Sequence, residues 1–234
     1  MLVYGSTAKG IGEQIGRSEE YAQGVIDKWL AGAPAVSQFI EDTHQFVQQH
    51  GYVATAQGFI RRLDDIWSDD QGLASRALRQ SVNTRIQGTG AYLTNMSVIY
   101  INQAFLAKHM KSRIALTVHD SILIDCYLPE LKLVYAIAKG VMENLPISWL
   151  KTTHKGKPIR FPITAEAEIG VTYNDMVDYD AEEIAKFKTA RGFAKYWVAY
   201  NSIKDYLESG VITEEQYKEA CAITESKKSK FIQI

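Results

Sequence analysis

The chain has 234 residues, a mass of 26.3 kDa, 46% hydrophobic and 23% charged residues and a formal net charge of −1. This is the composition of an ordinary globular protein with room for one large or two modest domains, and it gives no global basic field, so any nucleic-acid surface must be a local patch. Its two cysteines, Cys126 and Cys221, lie far apart without metal-ligand spacing, as suits a reducing compartment. Met1-Leu2-Val3-Tyr4-Gly5 lacks the basic and apolar runs of a secretory leader. The most apolar stretch, 91–107, is broken by Thr94, Asn95, Asn102 and Gln103 and is too polar to span a bilayer.

In chain order, residues 8–33 read as helical, with Tyr21, Val25, Ile26, Trp29 and Leu30 in helical phase behind Ser18-Glu19-Glu20. Pro34 interrupts, and a second helix over 36–49 runs to Gly51. "GYVATAQGF" (51–59) alternates like a strand closed by glycines. Helical periodicity returns from about 70 to 83 and again from about 88 to 110. A hairpin over 113–127 follows, then Pro129 at the start of a helix reaching about 144. "IRFPITAEAEIG" (159–170) reads as a strand pair or a bent strand. From Tyr179 the chain becomes helical and amphipathic, Phe193, Tyr196 and Trp197 read as core or interface, and Thr213-Glu214-Glu215-Gln216 is a capping-box start. The basic tail Lys227-Lys228-Ser229-Lys230 reads as a solvated end, and there is no internal repeat or low-complexity linker.

Three separated stretches carry chemistry. "YGSTAKGIG" (4–12) places an aromatic and a glycine at the head of a helix. "RQSVNTRIQGTG" (79–90) places Arg79, Asn83 and Gln87 at four-residue steps on one helical face, a row able to reach along a nucleic-acid backbone or minor groove. "TVHDSILID" (117–125) sets His119 and Asp120 between apolar strands, where aspartate is either a turn residue or a metal ligand. The pair Arg61-Arg62 is a surface charge pair or a phosphate contact.

In this order the chain resembles the C-terminal part of a family A DNA polymerase, the bacterial Pol I and phage replicative type. The resemblance rests on Tyr4-Gly5-Ser6, on "GYVATAQGFIRR" (51–62), on Arg79, Asn83, Gln87, Gly88 and Thr89, and on Val118-His119-Asp120. "IGVTYND" (169–175) is a weaker echo of the family's terminal segment, and the likeness runs collinearly to about residue 178. It implies an α+β fold: a helical fingers portion over 1–68, a palm with an antiparallel β-hairpin and flanking helices over 69–180, and a helical extension over 181–234.

The resemblance also implies roles. Tyr4 and Gly5 would lie beside the templating base, and Arg61, Arg79, Asn83 and Gln87 along the primer–template. His119 would position the primer end, and Asp120 would bind two Mg²⁺ ions that serve nucleotidyl transfer. Ser121 stands where the family has glutamate. The family's other metal-binding aspartate and its triphosphate-gripping lysine and arginine precede the Tyr-Gly, and neither Asp64-Asp65 nor Asp69-Asp70 looks like a replacement. The expectation is therefore one piece of a split polymerase, inactive alone and shared with an N-terminal polymerase fragment or other replication protein. It would act on DNA primer-template and deoxynucleoside triphosphates in the cytoplasm of a bacterial host, without a membrane. Two alternatives are a phage-type single-subunit RNA polymerase, whose palm also carries His-Asp-Ser, and a non-catalytic primer-template-binding module.

Overall fold

The computed structural model describes residues 7–228 and 230–232. It is 62% helical and 16% strand, a mixture of helices and two-stranded antiparallel sheets, which is the α+β class that the sequence implies. The chain divides into two compact units, Met1–Met96 with Thr117–Ile122, and Ser97–Leu116 with Leu123–Ile234.

The first unit begins with α1 (Ala8–Ile15), whose Thr7 cap accepts from Gly10 N at 3.2 Å, and α2 (Glu19–Gly32), whose Ser18 cap accepts from Tyr21 N at 3.2 Å. Glu19 and Glu20 in the first turn of α2 complement the helix dipole. The sequence reads 8–33 as helical, with Ser18-Glu19-Glu20 opening its amphipathic part. The break comes at Gly16, which closes α1 at φ 65°, and α1 then folds against α2 through Ala8, Ile11, Ala22 and Ile26. Helix α3 (Pro34–His50) starts on its proline and leads into strands β1 (Tyr52–Ala54) and β2 (Ile60–Arg62), paired with Val53 opposite Arg61. Val47, Val53, Leu63, Ile66 and Ala77 form the core of this part.

Helix α4 (Gln71–Ala107) is continuous for 37 residues and starts on Asp70, whose Oδ1 accepts from Gly72 N at 2.7 Å and Leu73 N at 3.3 Å. The sequence periodicity separates two helical stretches at 83–88. The gap closes because the segment there serves packing: Ala77, Ser81, Thr84 and Gly88 fall on one face, and small residues on it let the β1–β2 hairpin come close. A Cβ on Gly88 would stand 2.8 Å from Thr55 Cγ2.

In the second unit, helix α5 (Leu131–Glu143) holds the chain after it: Lys139 Nζ donates to Ala165 O at 2.7 Å, and Glu143 Oε1 accepts from Ala165 N at 3.1 Å. Two hairpins follow, β5 (Lys151–His154) with β6 (Lys157–Arg160), and β7 (Glu168–Thr172) with β8 (Asp175–Asp178). This corrects the single pair or bent strand expected at 159–170. Pro162 has no N–H for a ladder, and the chain leaves β6 just before it. Lys155 and Gly156, with φ 47° and 76°, make the tight left-handed turn that joins β5 to β6.

The extension forms α6 (Ala181–Lys186), α7 (Ala190–Glu208) and α8 (Glu214–Lys228). The capping box is reciprocal: Thr213 N donates to Gln216 Oε1 at 2.9 Å, and Gln216 N donates to Thr213 Oγ1 at 3.3 Å. Phe187, Phe193, Ala194 and Tyr196 bury themselves against Val177 and Ile169, so the extension covers one face of the β7–β8 hairpin. Two strands alone bury too little to persist, and these helices supply the missing cover.

Candidate functional site

Strands β3 (Arg113–Val118) and β4 (Ser121–Asp125) pair, and only His119 and Asp120 stand between them. A two-residue turn matches strand twist when its first residue takes a positive φ. His119 does so, at φ 54°, and histidine is among the non-glycine residues that enter this region most often. The cost is about 1 kcal/mol. Ser121 Oγ donates to Val118 O at 2.8 Å and locks the turn, so Ser121 braces the backbone. His119 and Asp120 both face solvent, and the Asp120 carboxylate makes no hydrogen bond or ion pair among the described residues.

A carboxylate held outward on a braced turn is a hard oxygen donor of the kind Mg²⁺ accepts, and Mg²⁺ is commonly held by one or two such groups with water and phosphate oxygens. Asp120 therefore fits a share of such a site. Among the described residues no group of three or more His, Cys, Asp or Glu side chains could hold a metal by itself.

The root of this hairpin is fixed by Glu130, at the end of a short turn after β4. Its carboxylate accepts from Lys111 N at 2.9 Å, Ser112 N at 2.9 Å and Ser112 Oγ at 2.7 Å. The hydrogen bond from the Lys111 amide, with those from Ser112 and the Lys111 charge, lowers the carboxyl below its ordinary range. A lowered carboxyl stabilises the fold above its unfolded value and loses that contribution as pH falls through the folded one. Glu130→Gln should therefore melt earlier than the parent at neutral pH and lose less on acidification. A pH series of thermal melts measures both.

Arg61, Arg79, Asn83, Gln87, His119 and Asp120 all belong to the first unit. Arg79, Asn83 and Gln87 lie along α4 about 130° round the helix from the Ala77–Gly88 packing face, at 100° per residue. Arg79 and Asn83 are half-buried, Gln87 is exposed, and Asn83 Oδ1 is buried without a partner among the described residues. No hydrogen bond or ion pair among the described residues ties this row to the His119–Asp120 turn. Arg61 is exposed, with Nη1 donating to Thr84 Oγ1 at 3.0 Å. Tyr4 and Gly5 lie outside the described residues.

Three residues beside the row were missed in the sequence. Gln57 Nε2 donates to Gly88 O at 3.1 Å, Ala56 N donates to Thr89 Oγ1 at 3.2 Å, and Arg85 reaches Thr43 Oγ1 at 2.6 Å while its guanidinium lies 4.5 Å from the Phe39 ring centroid. They join α4 to the β1–β2 hairpin and to α3. The signal available was the spacing of Ala77, Ser81, Thr84 and Gly88, a face of small residues.

The chain belongs to DNA polymerase family A, whose family model matches residues 1–175. It is 39% identical over 195 residues to the DNA polymerase of Bacillus phage SP01, covering 78% of this chain and 20% of that one. DNA polymerase I of Chloroflexus aurantiacus is 26% identical over 175 residues, covering 75% of this chain and 17% of the relative. Among solved structures, the POL domain of Pol1 from M. smegmatis, in complex with DNA primer-template and dNTP, matches with TM-score 0.58 and 27% identity over 61% of this chain and 25% of that one. The chain thus spans about a fifth of the length of these relatives. Among the described residues no helix is long and apolar enough to cross a membrane.

Proposed function

We propose that this chain is the fingers-and-palm portion of a DNA-directed DNA polymerase and carries one carboxylate of a two-metal nucleotidyl-transfer site. The observation that carries the reading is Asp120, held outward and unpartnered on a turn braced by His119 and Ser121, within the family-matching region. Residues 1–68 serve as fingers, 69–180 as palm and 181–234 as an added helical module. Asp120 shares two Mg²⁺ ions with an aspartate from polypeptide outside these 234 residues. When bound, they favour the deprotonated primer 3′-hydroxyl and neutralise charge on the triphosphate. His119 steadies the primer terminus. Arg79, Asn83 and Gln87 contact the primer–template. Arg61 meets phosphate, and Tyr4 and Gly5 border the templating base.

Partner polypeptide is also supported by apolar surface. Leu116 and Val118 on β3 are 45% and 38% exposed on a two-stranded sheet, a state that a further palm element would relieve. Tyr206 and Val211, 54% and 67% exposed, suit the extension to docking an N-terminal polymerase fragment or other replication protein. The test is nucleotide choice by the assembled enzyme on a primed DNA template. Deoxynucleotide incorporation is expected; preferential ribonucleotide incorporation would sink the DNA-polymerase reading in favour of an RNA polymerase.

A further inference from the structure

The β5–β6 hairpin is an unusual surface in a chain whose net charge is −1. No Asp or Glu occurs between Glu143 and Glu166, while the hairpin holds Lys151, Lys155, Lys157 and Arg160. Lys151, Lys155 and Lys157 are exposed, and none has an ion pair among the described residues. Exposed lysines on this protein do find carboxylates elsewhere, as Lys204 finds Glu208 at 3.5 Å.

Register separates anchor from free surface. Lys151 pairs with Arg160 and His154 with Lys157 across the strands. Arg160 Nη2 donates to Leu145 O at 2.6 Å, and Phe161 N donates to Leu150 O at 2.8 Å, so the root is tied down. The rest projects: Thr152, Thr153 and the Lys155-Gly156 tip are exposed, and neither threonine hydroxyl has a partner among the described residues. At about 3.3 Å per residue the stem is about 13 Å long, and a two-stranded ribbon of this kind can lie along a duplex groove. Lys151 with Thr153 lies on one face of the rooted ribbon, Lys157 with Thr152 on the other, and Lys155 at the tip, so the cations can meet regularly spaced phosphates on both sides of a groove.

We propose that the β5–β6 ribbon is a sequence-independent grip on the sugar–phosphate backbone of duplex DNA. This rests on the polymerase reading above and adds a contact to it that is separate from the α4 row and the Asp120 turn.

The test is the salt dependence of binding between the full chain and a primed duplex, compared with Lys151→Ala/Lys155→Ala/Lys157→Ala. Each lost phosphate contact removes about 0.9 from the slope of log affinity against log salt, so the triple variant should lose about 2 to 3. The loss should be equal on duplexes of unrelated sequence, and arginine at the same three positions should restore the slope. An unchanged slope in the triple variant, with the parent still binding, overturns the grip and leaves the polymerase reading standing. A parent that binds no duplex overturns the grip alone, because the polymerase reading is decided by nucleotide incorporation in the assembled enzyme. Were the triple variant to melt early, Lys155→Ala at the exposed tip decides instead, by a slope loss of about 0.9 or none.

Discussion

Replacing Asp120 by Ala is expected to abolish DNA synthesis by the assembled enzyme, a loss of about 10³-fold or more, with duplex affinity unchanged. A carboxylate that shares both metal ions acts on the transition state, and about 4 kcal/mol of lost charge stabilisation corresponds to three decades in rate. The fold should not suffer, because the side chain is exposed and unpartnered among the described residues. Exposed substitutions of this kind cost within about 0.5 kcal/mol. Asp120→Asn keeps the shape and removes the charge, and should be equally inactive. Synthesis at parental rate by either variant would favour a primer-template-binding accessory over a catalytic subunit. Single-turnover primer extension and duplex binding, measured on the same preparation, give the answer.

Gly170→Ala is expected to be the most destabilising small substitution in the β7–β8 region, by about 3 kcal/mol, at the upper end of what overpacking costs. A Cβ at Gly170 would lie 2.1 Å from the Asp175 carbonyl oxygen and 2.8 Å from that of Thr172. Both are backbone atoms of the same hairpin, whose register shifts between Gly170 and Thr172, so no side chain can swing aside to make room. The damage should spread, because Ile169 and Val177 of this hairpin pack with Phe187, Phe193 and Tyr196. Denaturant melts read by tryptophan fluorescence should show an earlier transition in which Trp197 is released. A midpoint within error of the parent would mean that the hairpin can open its bulge at little cost.

What the sequence made legible follows from where local signals coincide with global ones. The caps at Ser18 and Thr213 are local chemistry, and both form as read. The hairpin tip at His119-Asp120 was visible because apolar alternation stops there and resumes at once, and the collinear motifs gave the family. The break at Gly16 was obscured because Gly12 and Gly16 lie inside an otherwise helical pattern. The continuity of α4 was obscured for the opposite reason: Gly88 and Gly90 look like a stop, yet the β1–β2 hairpin packs on Gly88 and Thr89 and keeps the helix running. Tertiary contact overrode propensity. The β5–β6 ribbon escaped because Ile159 is its one aliphatic side chain among polar residues and Pro158, so periodicity is silent about it, and only the register with its Lys155-Gly156 turn defines it.

The candidate site was legible as residue types and order, not as geometry. The positive φ of His119, the brace from Ser121 and the clasp by Glu130 are backbone-level facts that no spacing encodes. Their joint effect is to hold a turn that aims one carboxylate outward.

The central claim is that this chain contributes one half of a two-carboxylate polymerase site. Primer extension with Mg²⁺ tests it most directly, using the purified chain alone and then with polypeptide carrying the remaining palm and fingers residues. No extension is expected from the chain alone, extension from the mixture, and none when the chain in the mixture carries Asp120→Ala. Robust extension by the chain alone, or a mixture indifferent to Asp120, would contradict it.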